Sequence, residues 1–188
     1  FSILVRELSD WPPLVEWADP AMQQRFAVLF ASGARLPSTD ALADCVRQSL
    51  ADAQLDYDHD SNDVGLVVTH ESPGLAAHVQ GFFRWGATFS AWLGSSKRFN
   101  PREFLYEQQS ANVYRMHSFL YIHHLSSLFD LHGFTLYNNN ACSSGAFAMS
   151  IAADRIRSGQ ADAVGVVGGD LPEDGTKFRW FDDLGIYS

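Results

Sequence analysis

Within about 35 residues, from Phe134 to Gly168, the chain reads strand, helix, strand, and that order leaves few folds open. Phe134 to Asn138 has the β-rich character of a strand. Ser144 to Ser158 predicts a helix with Met149, Ala152, Ala153 and Ile156 inward and Gly159 at its end. Ala163 to Gly168 (AVGVVG) is a short apolar run, typical of a strand buried on both faces. Two strands joined through a helix lie parallel, with a crossover that is right-handed in nearly all cases. The fold class is therefore α/β, with helices on both faces of a parallel sheet.

The upstream sequence supplies matching parts. Val64 to Thr69 (VGLVVT) predicts another doubly buried strand. Pro20 to about Ser32 reads as a helix, and so does Asp40 to about Ala53, with Ser38 or Thr39 as its cap. In the second, Leu42, Val46 and Leu50 recur every four residues, the spacing of a buried stripe, and Cys45 belongs beside it. Ala111 to about Leu131 predicts a long helix ended by Gly133 in a left-handed cap. Ser2 to Arg6 reads as a short strand, stopped by Pro12 and Pro13, and Leu75 to Trp85 as an aromatic-rich helix. Gly94 to Pro101 is the clearest loop.

Composition narrows the function classes. The apolar content of 46% over 188 residues is enough for a core, so disorder is excluded and one domain, residues 1–188, is expected. The net charge of −9 argues against nucleic acid and against an anionic membrane surface, both of which attract basic patches. No apolar run approaches the roughly 18 residues of a membrane span. Two cysteines in a chain of this length do not make a disulfide framework, so a reducing, cytoplasmic compartment is expected. The chain opens on Phe1 rather than Met, without the charged start or cleavage site of a signal peptide, so it is expected to begin inside a longer product or to follow processing.

The chemistry-bearing residue is Cys142, between the end of one buried strand and the start of a helix. Exposed amides at a helix start favour negative charge nearby, which for a thiol means thiolate, the nucleophilic form. The same amides can hold the oxyanion produced when a thiolate attacks a thioester carbonyl. Ser143 and Ser144 are natural caps, and Gly145 removes a side chain where a backbone or a substrate could come close. Most cysteines in such turns are small buried hydrophobes, so the position alone does not establish catalysis.

The surrounding residues carry more. The segment ACSSGAFAMSIAADRIRSGQADAVGVVGGD, Ala141 to Asp170, resembles the β-ketoacyl synthases of fatty-acid and polyketide assembly, in their elongating branch. It has an Ala-Cys-Ser-Ser turn, a helix ending in Arg-Ser-Gly and a strand ending in Gly-Gly. Weaker similarity runs through Ala41 to Val68, Asn100 to Ser118 and His132-Gly133-Phe134, so most of Asp40 to Ser188 is covered. The resemblance implies a thiolase-like fold, of which this chain is the first half of a duplicated five-stranded mixed sheet covered by helices. It implies that Cys142 accepts an acyl chain as a thioester, with its own backbone N–H as one oxyanion donor. Decarboxylation of a malonyl thioester and carbon–carbon bond formation would follow, and splitting the condensation in this way replaces one hard step by two easier ones. The implied partners are an acyl-carrier protein, acyl and malonyl thioesters, a second copy paired through Phe134 to Asn139, and the carboxy-terminal half of the synthase. That second half supplies the family's two histidines and lysine, whose motifs begin after Ser188, so this chain alone is expected to be inactive. No cofactor and no metal are implied.

Two other readings share these residues. One is a non-catalytic synthase-like module of the dimer-partner or chain-length-factor type, against which the retained Cys142 argues. The other is a thiolase or an acyl-CoA-using condensing enzyme. The remaining motifs read as structure. His123 and His124 point about 100° apart on a helix and lack further ligands, so they are not a metal pair. The DYDHDSND run from Asp56 to Asp63 lacks the glycine and closing glutamate of a calcium loop and reads as solvated. Gly165 to Gly169 ends a strand without opening a helix, unlike a dinucleotide fingerprint. Asn138, Asn139 and Asn140 fit turn chemistry, a polar strand end, or a hydrogen-bonding network around the nucleophile. An acidic carrier protein would need a local basic patch, for which Lys97, Arg98 and Arg102, with Arg155 and Arg157, are candidates.

Overall fold

The structure is a computed structural model that describes residues 14–30, 39–57, 61, 63–70, 83, 86–87, 89–94, 117, 119–169 and 181–185. The chain forms two compact units, Phe1–Glu71 with Ser118–Leu171, and Ser72–His117 with Pro172–Ser188. All the regular elements below belong to the first. In the second, residues 89–93 are helical and the Phe89 and Trp92 rings sit 5.5 Å apart.

In the first unit, helices α1 (Leu14–Trp17), α2 (Pro20–Phe30) and α3 (Thr39–Asp52) lead to strand β1 (Val64–Thr69). Helix α4 (Phe119–Phe129), strand β2 (Thr135–Asn138), a 3-10 turn at Ala141–Ser143, helix α5 (Ser144–Arg157) and strand β3 (Ala163–Gly168) follow. The strands lie in the order β2-β1-β3 and both pairs are parallel. Leu66 of β1 registers with Thr135 and Gly165, and Thr69 registers with Asn138 and Gly168. β1 is therefore the central strand, and all six of its residues are buried, as its unbroken apolar composition predicts.

Successive side chains of a strand point to opposite faces. Leu66 and Val68 join one core with Leu42, Ala43 and Val46 of α3 and Leu120, Tyr121, Leu125 and Leu128 of α4. The intervening Val67, also fully buried, points to the other face, where α5 packs on all three strands. Gly65 on that face has no room to spare, because a Cβ there would run into the Phe134 ring and come within 3.1 Å of its carbonyl oxygen.

Four expectations need correction. Strand β3 is not buried on both faces: Val167 alone of its six residues is buried, and Val166 is 37% exposed. Helix α4 ends at Phe129, and its left-handed terminal residue is Asp130 (φ +56°) rather than Gly133. The carbonyls that this early stop exposes are taken up from outside the helix: Arg25 Nε donates to Leu128 O at 3.1 Å, and the Tyr57 hydroxyl donates to Phe129 O at 2.6 Å. The inward row of α5 is Ala148 and Ala152, while Met149 is 67% exposed and Ile156 45%. Small residues let the helix axis come close to the sheet, so the bulky ones are left outward. Thr39 lies inside the first turn of α3 with its Oγ1 buried and unpartnered, so its hydroxyl caps nothing. The strand expected at Ser2–Arg6, the helix expected at 75–85 apart from Phe83, the 111–116 part of the helix expected over 111–131, and Lys97, Arg98 and Arg102 of the expected loop lie outside the described residues.

Candidate active site

The site grows out of the end of β2. Asn138, the last residue of that strand, still pairs with Thr69 of β1, so its position is fixed by the sheet. The chain then has to turn from a strand into a helix within a few residues. It does so through Asn140 (φ −124°, ψ 37°) and Ala141, whose φ of +50° lies in the left-handed region. That conformation costs an L-residue about 1–2 kcal/mol, and here the residue is not glycine. Side chains hold both peptide groups of Ala141. Its N–H donates to Asn139 Oδ1 at 3.1 Å, and its carbonyl accepts the Ser144 hydroxyl at 2.8 Å.

Ser144 does more than this. Its Oγ accepts the N–H of Asn140 at 2.7 Å, and its carbonyl accepts the side-chain amide of Asn138 at 2.9 Å. Ser143 points backwards as well: its hydroxyl donates to Asn140 O at 2.7 Å, alongside its own N–H at 3.2 Å. The serines expected to cap α5 therefore brace the turn behind the helix, and Ser143, at the N-cap position, makes no side-chain capping bond. The Ser143 and Ser144 amides are themselves taken by the carbonyls of Asn140 and Ala141, so the turn runs straight into the helix through backbone bonds rather than through a side-chain cap.

Cys142 stands in the middle of this turn. It is a free, exposed cysteine, and among the described residues no group accepts its backbone N–H. A structural cysteine would be sealed in the core, as Cys45 partly is against α3's buried stripe. Around Gly145 an added Cβ would meet nothing within 4 Å, so the close backbone approach expected there is absent among the described residues and the space is open. The arrangement can present a nucleophilic sulfur, its own N–H and the start of a helix to one incoming carbonyl.

The other residues singled out in the sequence lie elsewhere. His124 is 2% exposed on α4, beside the Phe30 ring of α2, and its Nδ1 has no partner. Burial and the neighbouring His123 push its pKa down to about 4, so it is neutral. His123 is exposed, and His132 bonds Asp130 at 3.1 Å. Among the described residues no three of His, Cys, Asp and Glu gather as a metal site requires. Arg155 bonds the Gln160 side chain and lies 5.3 Å from the centre of the Phe134 ring, while Arg157 pairs with Asp154 at 3.4 Å on the surface. Both arginines are near the far end of α5, about 20 Å from Cys142 by the rise of an α-helix. An apolar cavity of about 210 Å³ between α3 and the sheet, lined by Val46, Leu50, Leu66 and Val167, opens near the strands' other ends.

Sequence reasoning missed the braces. The Asn run signalled polar turn chemistry without saying which side chain reaches which atom, and the left-handed Ala141 has no signature in residue type.

Comparison with known proteins identifies the family to which this parallel α/β unit belongs. The model of the β-ketoacyl synthase amino-terminal domain matches residues 36–188, so the chain belongs to that family. A search of curated proteins returned no match. Among solved structures, the chain is similar to a β-ketoacyl synthase from Burkholderia phymatum STM815, with a TM-score of 0.51 and 18% identity. That match covers 96% of this chain and 37% of the other, so this chain spans well under half the length of that synthase, and the likeness supports a thiolase-like fold. Among the described residues no helix is long and apolar enough to cross a membrane.

Proposed function

We propose that the chain is the amino-terminal half of a decarboxylating β-ketoacyl synthase of the elongating type, with Cys142 as the residue that accepts the acyl chain. One observation carries this reading: the family's cysteine is present, exposed and free at a turn whose backbone N–H has no acceptor among the described residues. A thiolate there attacks the acyl-thioester carbonyl, and the oxyanion is received by the Cys142 N–H. Condensation with a malonyl thioester then needs groups from the carboxy-terminal half of the synthase. An acyl-carrier protein is the natural donor for such thioesters in fatty-acid or polyketide synthesis. Neither cysteine is in a disulfide, and Cys142 is exposed, which suits a reducing, cytoplasmic setting. A homodimer is supported by β2, which among the described residues pairs on one side only, with β1, and is half-exposed.

The test is chemical. Brief exposure of the intact protein to iodoacetamide should label Cys142 well before the half-buried Cys45, and an acyl-pantetheine thioester should leave its acyl group on Cys142. Equal labelling of the two cysteines, or an acyl group that still attaches in Cys142→Ala, would sink the assignment. Loading from acyl-CoA in strong preference to acyl-carrier protein would move the protein to the acyl-CoA-using branch of the fold.

A further inference from the structure

We infer that Asn138 and Ser144 are positioning residues for Cys142, holding the nucleophile's backbone in register with the sheet during acyl transfer. This rests on the reading of Cys142 as the acyl-accepting residue. The argument begins with Ala141, the residue directly before the nucleophile. Its left-handed backbone is unfavourable for alanine and would relax toward other conformations if nothing held it. Two side chains hold it, and one of them, Ser144, reaches both sides of the bend. Its hydroxyl oxygen takes the Asn140 N–H at 2.7 Å and gives its hydrogen to the Ala141 carbonyl at 2.8 Å. Asn138 ties the same Ser144, through its carbonyl at 2.9 Å, to the last paired residue of β2. Cys142 is thus suspended between a strand end and a helix start that are bolted together by side chains, while its own sulfur and N–H are not used by the bolts.

Acyl transfer needs that rigidity in a way that simple alkylation does not. Cys142 first gives its thiol proton to solvent. The thiolate then attacks the thioester carbonyl carbon, a carbon–sulfur bond forms to Cys142, and the carbonyl oxygen becomes an oxyanion received by the Cys142 N–H. When the oxyanion collapses, the carbon–sulfur bond to the donor breaks, and the donor leaves as a thiolate that takes a proton from water. Sulfur, carbon and N–H must be aligned at once, and a misplacement of about 1 Å costs on the order of a hundredfold in rate. Iodoacetamide needs only an accessible thiolate.

The experiment compares the intact protein with Ser144→Ala, Ser144→Thr and Asn138→Asp, using a medium-chain acyl-pantetheine thioester and iodoacetamide as probes. Ser144→Ala and Asn138→Asp should lower the saturating rate of acyl loading by about ten- to a hundredfold with KM unchanged. Alkylation of Cys142 should change by less than about threefold, since thiol access is preserved. Ser144→Thr keeps the hydroxyl and should restore loading. The inference is overturned if the variants load as fast as the parent, or if loading and alkylation fall together and threonine restores neither, which would mark the two residues as structural caps only. If the parent protein takes no acyl group on Cys142, the nucleophile assignment fails and this inference with it. A parent that loads beside variants that load equally well removes the positioning role alone.

Discussion

Helices α4 and α5 both pack on the same three-stranded sheet, and they are built on opposite principles. α4 is eleven residues long and buries Leu120, Tyr121, His124, Leu125, Leu128 and Phe129, most of its bulk. Its C-terminal carbonyls are taken by Arg25 and Tyr57, from two other parts of the unit. α5 is longer, yet buries only Ala148 and Ala152, and leaves Phe147 and Met149 half or more exposed and Ile156 45% exposed. At its N-terminus, around Cys142, Ser144 ties the helix to the strand end through Asn138, Asn140 and Ala141. The difference separates two tasks. α4 anchors the sheet through apolar burial, whereas α5 serves as a support for the turn at its beginning, and its side chains contribute little to the core among the described residues.

The largest expected effect tests the anchor. Leu125 is fully buried in the common core, so Leu125→Ala removes transfer free energy and leaves a cavity that close packing cannot fully close. Urea unfolding should show a loss of about 3 kcal/mol with an unchanged m-value. A loss under about 1 kcal/mol would mean that α4 is not the anchor and that the contrast with α5 fails.

A second effect comes from the polar residue inside the same helix. His124 is buried against Phe30, and its pKa lies near 4, below the ordinary 6.5, mainly because burial disfavours the imidazolium, with His123 adding to it. The unfolded chain binds this proton near pH 6.5 and the folded one only near pH 4. Between those values the unfolded state holds more protons, so stability falls as pH falls through that window and is unaffected by this group above it. The shift corresponds to about 3 kcal/mol over the whole window. In His124→Leu that acid-side loss should disappear relative to the parent, while stability at pH 7.5 should hold or rise, because a buried ring nitrogen without a partner is removed. Parallel stability curves for the two proteins from pH 7.5 to 4.5 would show that the histidine charges freely in the folded state.

The same contrast explains what the sequence made legible. Strands β1 and β3 and helices α3 and α5 declared themselves, because an unbroken apolar run such as VGLVVT and a four-residue stripe such as Leu42, Val46 and Leu50 are local patterns with local causes. The cysteine turn was legible as a place, since it lies where a strand pattern gives way to a helical one. Its wiring was not. Ala141 adopts a left-handed backbone because Asn139 and Ser144 hold it there, and alanine carries no mark of that. The C-terminal stop of α4 escapes the sequence for a similar reason: Gly133 looks like a cap, but Arg25, over a hundred positions away in sequence, takes the Leu128 carbonyl, five residues earlier. The facing of α5 failed because hydrophobicity ranks Met149 and Ile156 above alanine, whereas a helix lying close on a sheet selects for small size.

The smallest expected effect falls on that outward row. Met149 and Ile156 are seven positions apart, so they share one face of α5. Exposed side chains away from caps and cores change stability by less than about 0.5 kcal/mol when replaced. Met149→Ser and Ile156→Ser should therefore leave urea unfolding within that margin, against the large loss in Leu125→Ala. The value of a near-zero prediction is that it can fail in an informative direction. A loss above about 1.5 kcal/mol for either serine variant would mean that the row is covered in the intact protein, since an already wet methionine or isoleucine has little burial to lose. α5 would then be an internal helix of a larger assembly, and its apparent thrift in burial would belong to the described residues rather than to the folded protein.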